Sequence, residues 1–113
     1  MKLVTLPSGD KLTAETATTP KERQAGLMDR KELSQSHGML LEYSEPAERS
    51  IWMKNTYIPL DIVFLSEHKQ VLNVEQGEPL NEDKIWSDGD AQYILEVNQG
   101  VAQNLERGDT LSF

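Results

Sequence analysis

Short apolar runs alternate with polar turns along this chain, and most of the runs keep a period of two. Residues 2–6 predict a strand and residues 7–10 (Pro-Ser-Gly-Asp) a turn. Residues 11–17 predict the returning strand, with Leu12 and Ala14 on one face and Thr13 and Glu15 on the other. Further strands are expected over residues 38–43, 50–54, 60–65, 70–76 and 93–97, with a closing strand over 110–113. Within them, Trp52 faces away from Ile51 and Met53, while Tyr93, Leu95 and Val97 share one side. Residues 60–65 are apolar throughout except for Asp61, the pattern of a strand buried on both faces. Residues 44–48, which include Pro46, are expected to turn, and residues 77–90 to form a long acidic connection.

One helix start stands out. Thr19 is placed to cap, Pro20 fills the first helical position, and Glu22 lies three residues beyond the cap, which makes a capping box. The helix is expected to reach about residue 28, with Gly26 inside it at a close backbone approach. A second short helix is expected over residues 98–105. Seven or eight short strands with one clear helix predict a mainly β domain (β-rich α+β), a small β-barrel or sandwich with the helix on its edge or end.

The 113 residues fit one domain, and the 37% apolar and 27% charged fractions are those of a globular chain. No apolar run is long enough to span a bilayer, and the first residues are too short a stretch for a signal peptide. The expected location is therefore the cytoplasm, or outside it if an export signal has been removed. Cysteine is absent, so disulfides and thiolate chemistry are excluded. Net charge is −8 and uneven: residues 1–41 hold six basic and five acidic side chains, leaving −9 for the remainder. Six carboxylates lie between Glu75 and Asp90 against Lys84 alone. Such a chain disfavours nucleic acid, which needs a basic footprint, and anionic membrane surfaces.

Candidate chemistry is sparse. No phosphate loop, nucleophile elbow or HExxH pattern occurs. His37 and His68 stand in separate turns, and the run from Asp88 fails the calcium-loop template because Tyr93 and Gln99 occupy the glycine and glutamate positions. No metal or cofactor is expected. Asp61 and Glu96, by contrast, sit in strands otherwise made for a core, where an unpaired carboxylate costs several kcal/mol. The expectation is an ion cluster of Arg23, Arg30, Asp61 and Glu96 tying helix to sheet. A second concentration of chemistry is Trp52-Met53-Lys54-Asn55-Thr56-Tyr57, with aromatic rings, a cation, an amide and hydroxyls at one turn. It serves either as a turn with core anchors or as a pocket wall.

The same residues carry a family resemblance. Glu22-Arg23-Gln24-Ala25-Gly26-Leu27-Met28-Asp29-Arg30, Gly38-Met39-Leu40, Trp52-Met53-Lys54-Asn55-Thr56, Pro59-Leu60-Asp61 with Phe64, Tyr93-Ile94-Leu95-Glu96-Val97 with Gly100, and Gly108-Asp109 resemble, in order, the blocks of the bacterial and archaeal family called domain of unknown function 192. The resemblance implies a compact β-barrel or sandwich and brings no activity with it.

The leading expectation for function is a non-catalytic module binding a small polar or anionic ligand, or a peptide, at Trp52, Lys54, Asn55, Thr56 and Asp61, bordered by Arg23 and Arg30. Two rivals stand beside it. One is an enzyme using Asp61 and Glu96 as an acid/base pair on a glycan-like substrate, which requires both carboxylates in one cleft. The other is an accessory subunit whose acidic segment docks a basic partner, which an exposed apolar patch beside that segment would favour.

Overall fold

The computed structural model describes residues Met1–Phe113 and places eight strands and one helix along the chain: β1 (Lys2–Thr5), β2 (Lys11–Ala17), α1 (Pro20–Ala25), β3 (His37–Ala47), β4 (Ser50–Ile51), β5 (Leu60–Leu65), β6 (Val71–Gly77), β7 (Ile85–Trp86) and β8 (Ala91–Asn98). Six strands form one sheet in the order β1-β2-β3-β8-β5-β6, and β4 and β7 form a separate two-stranded ribbon. All pairs are antiparallel except β2 with β3, whose connection carries α1.

Alternation along the central strands gives the sheet two apolar faces. Leu40, Val63, Leu65, Leu95 and Val97 point to one side and join Val4, Leu12, Ala14 and Leu111 in a first core. Met39, Leu41, Leu60, Ile62, Phe64 and Ile94 point to the other and join Leu27, Met53 and Ile58 in a second. Every residue of β5 is buried, as its apolar run predicts. The sheet does not close into a barrel. Its two ends are instead approached by the C-terminal segment, which makes single bridges from Ser112 to Thr5 and from Thr110 to Gln70. Leu111 between them turns into the first core.

Several local expectations are corrected. The capping box forms, with Thr19 and Glu22 bonding reciprocally, but the helix ends at Ala25. Gly26 adopts φ 47 and ψ −123, a conformation open to glycine, and stops the helix where its periodicity alone would have continued. Pro46 lies within β3, which runs on to Ala47 across a register shift after Glu42; irregular pairing is where a strand tolerates proline. The strand expected over 50–54 shrinks to Ser50–Ile51, paired with a strand, Ile85–Trp86, hidden in the acidic connection. Residues 99–104 form turns instead of a helix, and the closing strand is reduced to the two bridges. No helix is long and apolar enough to cross a membrane.

The second core closes over a glycine. A Cβ on Gly77, the last residue of β6, would lie 2.5 Å from Met53 Sδ and 2.9 Å from Ile62 Cδ1. Gly77→Ala is therefore expected to destabilise the fold by about 1–3 kcal/mol through overpacking. Urea denaturation checks it, and an unchanged midpoint would mean that Met53 is free to repack.

Candidate functional site

The two strand carboxylates are resolved in opposite ways. Asp61, at the second position of β5, shares a face with Val63 and Leu65 and turns toward the first core. It is 2% exposed. Its Oδ2 accepts from Gly100 N at 2.9 Å and Ala102 N at 3.0 Å, so the carboxylate holds the turn that follows β8. Glu96, on β8, shares its face with Ile94 and turns toward the second core, opposite Met39 of β3 and Ile62 of β5. It is 6% exposed, and its Oε1 has no hydrogen-bond partner. Burial pushes the Glu96 carboxyl up to about 7.

The expected ion cluster does not form. None of the four ion pairs involves Asp61 or Glu96. Arg30 instead pairs with both carboxylate oxygens of Glu15 on β2, and that hydrogen bonding holds the Glu15 carboxyl below its usual range. Helix α1 ends five residues short of Arg30, so the two arginines are not carried by one helix face. The acid/base pair is corrected as well: Asp61 and Glu96 occupy opposite faces of one sheet and cannot meet in one cleft.

What lies in front of Glu96 is a cleft of about 450 Å³. Helix α1 and the turn after it form one wall, with Arg23, Gly26, Leu27 and Met28. Leu41 and Tyr43 of β3 contribute another, and Ser50, Ile51, Trp52, Thr56 and Lys84 close the far side. Gly26 has a second use here, since a Cβ at that position would sit 3.2 Å from Glu96 Oε1. Two guanidinium groups lie over the Tyr43 ring, Arg23 at 4.4 Å and Arg49 at 3.6 Å from its centroid. Arg23 also donates to the Thr18 and Glu42 carbonyls, and Arg49 to the Ala91 and Glu45 carbonyls. Burial raises the Tyr43 hydroxyl above its ordinary value despite both cations.

Of the residues singled out in the sequence for binding, Arg23, Trp52 and Thr56 line the cleft, whereas Lys54, Asn55, Asp61 and Arg30 do not. Asn55 is exposed at φ 54, and its carbonyl accepts from Asp29 N at 2.8 Å. It shapes a turn that ties the segment after α1 to the one before β5. Lys54 lies over the Trp52 ring at 5.1 Å. Buried Met53 anchors the turn in the second core. Tyr43 and Lys84 are among the cleft residues that the sequence does not single out. In sequence Tyr43 is only a strand end, and the pairing that brings the segment of Lys84 beside β4 is between two-residue strands.

Because burial raises Glu96 in the folded state, the folded protein binds its proton more tightly than the unfolded chain does. The contribution is fully present below pH 4.5 and lost as pH rises through about 7, amounting to about 3 kcal/mol. Glu96→Gln is expected to gain on the parent protein by roughly that amount between pH 4.5 and pH 8. Urea denaturation of both proteins across this range measures the difference; a constant difference would mean that Glu96 ionises normally.

The family model DUF192, described as an uncharacterized ACR, matches residues 3–113. A solved structure of a protein of unknown function from Novosphingobium aromaticivorans DSM 12444 superimposes with a TM-score of 0.91 at 34% identity, covering 98% of this chain and 82% of that one. A second, named as a candidate transcription regulator from Sinorhizobium meliloti 1021, superimposes with a TM-score of 0.90 at 35% identity, covering 97% of this chain and 89% of that one. No curated protein matches the chain.

Proposed function

Since the chain belongs to the DUF192 family, which brings no activity of its own, we propose from the site alone that this protein is a non-catalytic binding module whose cleft holds a small polar or anionic ligand. The observation that carries the reading is a concave site with Arg23 and Lys84 among its walls and an unpartnered, buried carboxyl on its floor. Volume and lining suit a small molecule, because ligand pockets of about 300–1,000 Å³ combine apolar and aromatic walls with a few polar groups. Arg23 and Lys84 suit a carboxylate or phosphate on that ligand. Binding is favoured over catalysis because the only two carboxylates buried in the sheet lie on opposite faces of it. Regulation of transcription, the role named for the Sinorhizobium protein, would here have to proceed without a basic footprint for nucleic acid, because the net charge is −8.

Thermal unfolding against metals, nucleotides, sugars, amino acids and organic acids tests this. A ligand present at a hundred times its dissociation constant is expected to add about 2.7 kcal/mol. The shift should disappear in Trp52→Ala and Lys84→Ala and persist in Asn55→Gly, which keeps the turn but lies outside the cleft. A flat screen, or a ligand indifferent to Trp52 and Lys84, overturns the assignment.

A second reading has its own observation. Leu80 and Trp86 are 51% and 49% exposed within the acidic stretch between Glu75 and Asp90. Exposed apolar side chains in a segment rich in carboxylates complement a basic partner segment that carries apolar residues, although Lys84 Nζ lies 5.9 Å from the Trp86 ring. A lysine-rich amphipathic peptide is expected to bind this face in a salt-sensitive way and to lose affinity at least tenfold in the Leu80→Ser, Trp86→Ser double variant. Equal binding by the variant removes the reading.

A further inference from the structure

The cleft holds a charge arrangement that its own residues leave open. On the floor, Glu96 Oε1 is buried without a donor. Its cross-strand neighbours on β3 and β5 are the apolar Met39 and Ile62. The charged or titratable groups around the same space are Arg23 from α1, Tyr43 from β3 and Lys84 from the segment before β7. None of them pairs with Glu96. Arg23 is engaged instead with the Thr18 and Glu42 carbonyls and the Tyr43 ring. Lys84 is exposed and makes no ion pair.

A buried acceptor without a donor is costly and rare in native proteins, and ordered water, an ion or a ligand meets it where the chain supplies no donor. Three ligand types enter such a cleft with different results. A simple anion would meet Arg23 and Lys84 but leave Oε1 unsatisfied. A simple cation would satisfy Oε1 but pass two like charges to reach it. A ligand bearing an amino group and a carboxylate satisfies both ends at once, with its side chain against the Trp52 and Leu27 walls.

We propose that the cleft recognises a free amino acid or a short peptide, the amino group donating to Glu96 and the carboxylate accepting from Arg23 and Lys84. The inference rests on the binding-module reading above and narrows it to one ligand class. The cleft lies toward the lower end of the range for small-molecule pockets, which suits one or two residues. The ammonium pairs with the ionised carboxylate, so binding expels the proton that burial keeps on Glu96. Affinity therefore rises about fivefold from pH 6 to pH 7, where a group titrating near 7 becomes half ionised while the ligand's ammonium stays largely charged.

The experiment is calorimetric titration of the whole protein with the twenty standard amino acids and with glycyl and leucyl dipeptides. The best ligand is then compared with its N-acetyl and its C-terminal amide derivative. At least one unmodified compound should bind and release protons at pH 6.5. N-acetylation and amidation should each weaken it at least tenfold, and Glu96→Gln should erase both the proton release and the penalty for N-acetylation. If the N-acetyl derivative or a plain carboxylate such as benzoate binds as well as the parent compound, with Lys84 still required, the amino-group assignment is wrong and the anion-binding cleft stands. If no compound of the set binds, the inference is overturned, and an empty result in the wider screen overturns the cleft with it. The ligand derivatives are tested on unaltered protein, so the outcome does not depend on a variant folding.

Discussion

The central strands β5 and β8 have no solvent face, and most of the structure follows from that constraint. A sheet buried on both sides must be covered twice with the material of a small domain. On one side the sheet's own curl and the C-terminal segment supply the cover, bringing Val4, Leu12 and Leu111 over Val63 and Leu95. On the other side the cover is irregular: the turn after α1 with Leu27, the turn around Met53 and the β4–β7 ribbon laid over Leu41, Ile62 and Phe64. Irregular cover leaves gaps, and the cleft is such a gap.

The same constraint explains why two strand carboxylates mean different things. A carboxylate buried in a sheet can be satisfied by backbone amides wherever a turn is close enough to present them. Asp61 has such a turn, at Gly100 and Ala102, and becomes a structural acceptor. Glu96 faces Gly26, whose missing side chain makes room for the carboxyl and whose amide is already spent on the Glu22 carbonyl. The glycine thus ends the helix and opens the floor of the cleft in one step. A residue with a Cβ would be strained at that φ and would also crowd Oε1, so helix termination and site formation depend on the same position.

How much of this was legible follows from the range of the interactions concerned. The capping box is local, and Thr19, Pro20 and Glu22 declare it in the chain. The apolar run of β5 needs no partner to be recognised as doubly buried. Asp61 and Glu96 were legible as charges out of place, because burial of their neighbours is written in the alternation. Their partners were not. Which face each takes depends on strand parity across the whole sheet, and a distant arginine looks in sequence like a partner that the fold assigns to Glu15 instead. The β4–β7 ribbon was hidden for a related reason: two-residue strands held by a long-range pairing leave no periodicity to read.

The Trp52–Thr56 block shows how a signature in sequence can divide its labour in space. Met53 is buried in the second core and Asn55 holds a left-handed turn, so both serve the fold. Trp52 and Thr56, on either side of them, face the cleft. One turn therefore sets both the cover of the sheet and one wall of the site, and neither can shift without the other. The site is consequently no addition to a finished scaffold. It is the part of the second face that the chain covers with walls but leaves unfilled, and on the proposed reading the unpartnered oxygen of Glu96 marks where a ligand would complete it.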